Sequence, residues 1–515
     1  MIKNFIDKLM GKSPKSNKPH FGRRTEVPAS VHRIDPDLVD ERAIHVTHTL
    51  QQAGFEAYIV GGAVRDLLLG LRPKDFDVAT DATPEQVKGL FRRAFIIGRR
   101  FRIVHVVYGR GRDNEVIEVS TFRAHLDNAA AEQVKGNERT SKRQLEGMQH
   151  AVDSSGRVLR DNVWGPQDED ATRRDFTVNA MYYDPVSRVL VDYHGGLADV
   201  RARVLRMIGD PPMRYREDPV RLLRVVRFEA KLGFSIEPRT REPIRRMATL
   251  LANVPGSRLF DEMIKLLQTG HAIASVDALR SHGLVEGVFP ILEAALGDGS
   301  DPVRARFIRL ALEDTDRRVA DGRAVAPSFL LACLLWHDVQ SRWKALREGG
   351  ASSFPALQDA VQAVFDARIG DISGRGKLAA DMREIWQMQP RFERRTVASV
   401  DALVEQPRFR AGYDFLRLRS DVGEVPAELA DWWEDYSLGS DEEREALRQE
   451  LKIAQTRRVQ GPREAARPPG AAPGAEPAPS AEERGPDGPA RRRRRRRRGG
   501  RSGSSDSATP GTGEP

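Results

Sequence analysis

The chain has 515 residues, 40% hydrophobic and 30% charged, with a formal net charge of +9, which suits two or three soluble globular domains. From Arg457 to the end stand 14 Arg against 7 acidic residues, so the preceding part is close to neutral and the attraction to polyanions is mainly a tail property. A single cysteine, Cys333, excludes an internal disulfide and any multi-cysteine zinc site; it suits a reducing cytoplasm, and no apolar run approaches the ~20 residues of a membrane span.

The opening MIKNFIDKLM lacks a signal-peptide apolar core. Its Ile2, Phe5, Ile6 and Leu9 would share one helical stripe, either a short docking helix or a frayed terminus. Residues 11–36 are polar and Pro-rich and read as a flexible lead-in. Helical spacing runs from Pro36–Asp37 to Gln52 and stops at Gly54.

Tyr58 to Val78, YIVGGAVRDLLLGLRPKDFDV, then reads as strand, glycine turn, short helix, and a strand carrying Asp75 and Asp77. Residues i and i+2 of a strand share a face, so the two carboxylates are expected side by side. Thr83 is a plausible N-cap for a helix starting at Pro84–Glu85. Arg102–Tyr108 and Val116–Phe122 are strand-like. Residues 125–160 have no clear period and read as functional or disordered. DATRRDFTVNAMYYD predicts a helix carrying Arg173, Arg174 and Asp175, leading to a strand at Met181–Tyr183; Val189–Tyr193 follows as a hairpin piece.

From Asp218 onward strand signals nearly vanish. Asp218-Pro219 is a helix start, and amphipathic helices continue to about Lys452. Cys333 in FLLACLLW reads as a core thiol. Residues 456–515 are a Pro/Gly/Ala/Ser segment that cannot bury enough apolar surface to fold alone. It contains Arg491, Arg492, Arg493, Arg494, Arg495, Arg496, Arg497 and Arg498, a run that favours nucleic-acid contact.

The chemistry starts from Asp75 and Asp77. Two carboxylates this close repel and need a cation. Mg²⁺ takes oxygen ligands and also binds substrate phosphates, and two ions would activate an attacking hydroxyl and stabilise a leaving pyrophosphate. Gly61 and Gly62, with Arg65, would cradle a triphosphate. The pattern is neither a Walker loop nor a dinucleotide fingerprint. Glu118, an acid in the apolar strand VIEVST, and Asp175 are both candidates for a third carboxylate. In RYREDPVRLLRVVRF, Asp218 and Arg221 place an acceptor beside a donor. That pair accepts adenine or cytosine and rejects guanine and uracil.

At these residues the sequence resembles a known family. GGAVRD with KDFDV, RRDFTVNAM and YREDPVRLLRVVRF resemble the class II nucleotidyltransferases, which comprise CCA-adding enzymes and bacterial poly(A) polymerases. ATPEQVKGLFRRAFIIGRRFRIVHVVYG, IGDPPMRYREDPVR and the arginine-rich C-terminus resemble the bacterial poly(A) polymerase I group.

The resemblance implies an α+β fold: a small α/β head with a mixed sheet over 37–195, after a flexible segment 1–36. A neck at 196–280 would carry nucleotide-base and RNA-binding helices. An RNA-binding helical body at 281–455 and a disordered tail at 456–515 would follow. It implies Mg²⁺ on Asp75, Asp77 and Glu118, with Asp175 counted as catalytic as well. Gly61, Gly62, Arg65 and Arg174 would bind nucleotide, and Asp218 and Arg221 would read the base, supported by Arg224 and Arg227. The implied activity is template-free addition of adenylate from ATP to RNA 3′ ends, by a monomer in the cytoplasm with RNA-decay proteins as partners. The alternatives are tRNA CCA addition and a non-catalytic RNA-binding protein. The His337-Asp338 dipeptide after Trp336 is of HD type and reads as structural, since no matching second set of ligands accompanies it.

Overall fold

The computed structural model describes residues 21–98, 102–109, 114–124, 132–133, 150–152, 158–161, 163–289, 291–293, 301–368 and 376–459. The N-terminal stripe and the Arg491–Arg498 run lie outside them.

The head is built on an eight-stranded sheet. In chain order its described elements are β1 (Thr25–Pro28), α1 (Glu41–Gln52), β2 (Ala57–Val60), α2 (Gly62–Leu68), β3 (Asp77–Thr80), α3 (Pro84–Leu90), β4 (Ala94–Ile97), β5 (Ile103–Tyr108), β6 (Glu115–Thr121), α4 (Gln167–Arg173), β7 (Met181–Asp184) and β8 (Val189–Asp192). The strand order is β1-β8-β7-β2-β3-β6-β5-β4. β3 and β6 run parallel, while the other neighbours are antiparallel, so the sheet is mixed as expected.

One face is the core. Ile59, Val78, Val104, Val106, Ile117 and Val119 alternate inward and pack with Ala43, Val46 and Leu50 of α1 and Val87 of α3. Burying each larger apolar side chain contributes about 1.5–3 kcal/mol. Thr83 caps α3 through a reciprocal box with Gln86. The other face is covered only in part. Val60, Ala79, Phe122, Tyr182 and Val191 form a second cluster with Ala171 of α4.

Two expectations are corrected, on the lead-in and on Arg174 and Asp175. The lead-in is ordered from residue 21: β1 pairs with β8, Val27 is buried, and Arg24 donates to Gln167 (2.6 Å) and Tyr193 (3.3 Å). A four-residue strand with one apolar inward side chain is too short to read in sequence, but an open sheet edge captures it. Within 125–160, Glu132–Gln133, His150–Val152 and Val158–Asp161 form a small three-stranded sheet. Arg174 and Asp175 are not in a helix: α4 ends at Arg173, Arg174 is its C-cap with extended backbone (ψ 166°), and Asp175 follows outside it.

The chain then becomes helical. α5 (Gly196–Ala202), α6 (Pro211–Glu217) and α7 (Arg221–Leu232) lead into α8 (Gly256–Leu267) and α9 (Ala272–His282). Between α7 and α8, Pro238–Arg241 and Ile244–Met247 are short helices and Ala248–Asn253 is a 3₁₀ turn. Farther on come α10 (Pro302–Ala320), α11 (Pro327–Glu348), α12 (Ser353–Arg368), α13 (Gly376–Glu393), α14 (Phe409–Asp421), α15 (Ala427–Leu438) and α16 (Asp441–Val459). The last helix thus runs beyond the expected boundary at 455.

Cys333 and Trp336 are buried on α11, and burial pushes the Cys333 thiol well above its ordinary range. His337 packs edge-on to Phe307 and faces Glu424 (3.2 Å), while Asp338 pairs with Arg304 (3.2 Å). The HD dipeptide is therefore tied into the helical core.

Candidate active site

β2 ends at Val60, opposite Asp77, and the chain turns at Gly61 with φ +74° and ψ −135°. That conformation is open essentially to glycine alone. A Cβ there would stand 3.7 Å from Arg174 Nη1 and 3.8 Å from Asp77 Oδ2. The glycine thus lies between a cation and a carboxylate without crowding either.

Asp75 is exposed in a bend before β3, which begins at Asp77. This corrects the expectation of two acids on one strand. β2 offers pairing only as far as Val60, so residues before Asp77 have no partner on that side. Asp77 is in register with Glu118 of the parallel neighbour β6, which sets these two acids side by side on the same face. Asp77 is exposed as a residue, yet protein atoms crowd its carboxyl. That crowding, with Glu118 and Asp75, pushes it up to about 6, against the pull of Arg174.

The Glu118 carboxylate meets His105 Nε2 at 3.2 Å. Among the described residues, no three acidic, His or Cys side chains converge as a metal cluster. The donor set of Asp75, Asp77 and Glu118 is all carboxylate oxygen, which suits a hard divalent cation.

Asp175 sits elsewhere. It is 8% exposed, accepts from Phe176 N (2.8 Å) and Asn179 Nδ2 (3.3 Å), and meets Arg224 Nη2 at 2.6 Å. Burial alone would raise its pKa, but Arg224 and Arg221 hold it below the ordinary range. Its geometry is that of an arginine organiser.

Arg65 is placed beneath the glycine turn rather than in the open site. It is 3% exposed, donates to Asn179 (2.7 Å) and Asp66 (2.7 and 2.9 Å), and lies over Phe228 at 5.3 Å. Its Nη2 would be 3.4 Å from a Cβ at Gly62, so Arg65 packs under the turn. Arg174, the C-cap just past α4, faces Gly61. Asp170 accepts from it at 3.0 and 3.2 Å, and Tyr182 OH lies 3.2 Å from it. Burial would lower its pKa, but Tyr182 and Asp170 more than offset this and hold the guanidinium charged.

Asp218 and Arg221 flank the turn between α6 and α7, with Arg221 N donating to Asp218 O at 3.0 Å. Their side chains have different partners. Asp218 accepts from Arg258 Nη2 at 3.1 and 3.2 Å. Arg221 donates to Glu217 and to the Arg214 carbonyl, each at 2.9 Å. Glu217 also holds Arg214 (2.7 Å); burial and Arg221 push Arg214 down to about 9, still cationic at neutral pH. Arg227 binds Glu262 (2.6 Å), and Arg65, Arg224 and Arg227 all lie around the Phe228 ring.

Several of these positions escape sequence reading. Asp170 precedes Arg174 by one helical turn, a spacing that is visible. Glu217 likewise stands about one turn from both Arg214 and Arg221, whereas no local signal ties Asn179 to Arg65, Glu262 to Arg227 or Arg258 to Asp218.

Residues 57–206 match the Poly A polymerase head domain, residues 233–296 a probable RNA and SrmB-binding site of polymerase A, and residues 349–499 the polymerase A arginine-rich C-terminus. The chain is 42% identical to poly(A) polymerase I of Haemophilus influenzae over 442 residues, covering 85% of this chain and 94% of that one. It is 34% identical to the CCA-adding enzyme of Bacillus velezensis over 245 residues, 48% of this chain and 54% of that one. The solved CCA-adding enzyme of Bacillus stearothermophilus with CTP is 26% identical with a TM-score of 0.49, covering 77% of this chain and 80% of that one.

Proposed function

The chain belongs to the poly(A) polymerase I family, and on that premise we propose how its residues carry out template-independent addition of adenylate from ATP to RNA 3′ ends. The RNA 3′ oxygen forms a bond to the α-phosphorus of ATP, the α–β bridge breaks, diphosphate leaves, and the hydroxyl proton passes to solvent. Asp75, Asp77 and Glu118 would hold Mg²⁺, which when bound neutralises the triphosphate and favours the ionised 3′ hydroxyl. Gly61 and Gly62 let the phosphates approach the backbone, with Arg65 stiffening the turn from beneath. Arg174, held by Asp170 and Tyr182, presents fixed positive charge where negative charge develops. Asp218 accepts from adenine N6, and Arg221 donates to N1. Asp175 sets Arg224, and Glu262 sets Arg227, so the base-reading helix is held in place.

The observation that supports this most directly is the register of Asp77 with Glu118 on an accessible sheet face, beside the Gly61 turn. The match of residues 233–296 supports placing RNA, and a protein partner of RNA decay, on the neck helices. The Arg491–Arg498 run would hold RNA electrostatically. No helix among the described residues is long and apolar enough to cross a membrane, and we place the enzyme in the cytoplasm as a monomer.

CCA addition is the more distant reading, because that likeness spans about half the chain. Incubation with Mg²⁺ and a short RNA given each nucleoside triphosphate singly, and with a truncated tRNA given CTP and ATP together, decides between them. Long A-tracts with ATP alone are expected. Two cytidines and one adenosine on a truncated tRNA, then a stop, would overturn the assignment.

A further inference from the structure

The sheet face that carries the acids continues to the far edge. In register across four strands stand Asp77 on β3, Glu118 on β6, His105 on β5 and Phe95 on β4. The next row on that face is Ala79, Ser120, Ile103 and Ile97. The opposite parity, with Ala94, Val104 and Val119, is buried in the core. On the outward parity Phe95 is 55% and Ile97 37% exposed. Single exposed apolar residues are ordinary. Here an aromatic ring and its neighbour lie in line with the acids, and exposed Arg92 and Arg93 immediately precede their strand. Strands lie ~4.8 Å apart, so three spacings put Phe95 about 14 Å from Asp77. At ~3.4 Å per stacked nucleotide, that is about four nucleotides from the reacting end.

We propose that Phe95, with Ile97 beside it, is a stacking platform for an RNA base a few nucleotides upstream of the 3′ end. Phe95 is thus a positioning residue for the primer rather than a catalytic one. This rests on the adenylyl-transfer reading above. An aromatic face accepts any base, which suits an enzyme that extends its own poly(A) product and needs no upstream sequence. The occupant is RNA rather than protein because the row is continuous with the carboxylates at which the 3′ end reacts, and its strand is entered through two exposed arginines.

The test compares the full-length enzyme with Phe95→Ala and Phe95→Trp. An oligo(A) octamer and the dinucleotide ApA, too short to reach β4, serve as primers. For Phe95→Ala the octamer KM is expected to rise about 10-fold, within what loss of one base–aromatic stack gives. The kcat at saturating primer, the ATP KM and the ApA KM stay at wild-type values, and Phe95→Trp restores the octamer KM. Independently of catalysis, an octamer with 2-aminopurine four nucleotides from its 3′ end should be quenched by wild type, without ATP or metal, and not by Phe95→Ala. Unchanged octamer KM and unchanged quenching would overturn the proposal and leave the patch to a protein partner. An altered ATP KM would also overturn it. Loss of quenching in an enzyme that extends no primer would sustain the platform and sink the polymerase reading instead.

Discussion

Asp175 and Glu118 separate cleanly in one experiment. Replacing Asp175 by Asn keeps an acceptor for Phe176 N, now 2.8 Å away, but removes the charge facing Arg224 at 2.6 Å. A hydrogen bond to a charged partner contributes ~1.5–3 kcal/mol. The Arg224 side chain is 39% exposed, so solvent screening trims this to about 1–2 kcal/mol. If Arg224 steadies the base-reading helix, kcat/KM for ATP should fall about 5- to 30-fold, chiefly through KM. The Mg²⁺ concentration giving half-maximal rate should not move. Glu118→Gln removes a carboxylate in register with Asp77, and it should shift that Mg²⁺ midpoint upward while leaving the ATP KM at saturating Mg²⁺ nearly unchanged. The assay is initial-rate oligo(A) extension across a Mg²⁺ titration for both variants. If Asp175→Asn moves the Mg²⁺ midpoint as Glu118→Gln does, Asp175 is a metal ligand and the reasoning fails.

Gly61→Ala meets no steric clash, since its Cβ contacts lie at 3.7 and 3.8 Å, but φ +74° costs an alanine about 1–3 kcal/mol; primer extension should drop at least tenfold while the far-ultraviolet circular dichroism stays native. Arg258→Ala removes a partner of Asp218, and competition between ATP and CTP should show the preference for ATP narrowed several-fold, with an unchanged ratio arguing that Asp218 is positioned by other means. Asp170 and Asp175 are both held below the ordinary carboxylate range: burial opposes their ionisation, but Arg174 and Arg173 act on the first and Arg224 and Arg221 on the second. Their stabilising effect is therefore fully present above the unfolded pKa of about 3.9 and is lost as pH falls through the lowered folded values. Acid titration by circular dichroism should show Asp170→Asn, less stable at neutral pH, losing less further stability below pH ~4 than wild type; parallel loss in both would refute the linkage.

Much of the fold is legible in local sequence. The Thr83 cap with Gln86, the alternation of Ile103–Tyr108, and the long amphipathic helices beyond Arg221 are each set by neighbours a few residues apart. Elements that depend on distant partners are not legible. β1 needs the open edge of β8, and the three-stranded sheet within 125–160 needs strands that bring little apolar pattern of their own. KDFDV alternates and so predicts one strand for Asp75 and Asp77, yet the strand starts where β2 can begin to pair with it.

The same division runs through the site. Residue types and spacings alone put Gly61, Gly62, Asp75, Asp77, Asp218 and Arg221 among the candidates, because a tight turn, a charge pair and a helix-borne donor are short-range patterns, whereas Arg174 entered through the family resemblance. Tertiary structure alone decided which acid stands beside Asp77, because a register between β3 and β6 is set by pairing across 41 positions of chain. It likewise buried Arg65 under the turn, gave Asp175 to Arg224 and Asp218 to Arg258, and put Phe95 in line with the acids. Charged side chains on a folded surface take the partner that space offers, and that partner is not written in their neighbours.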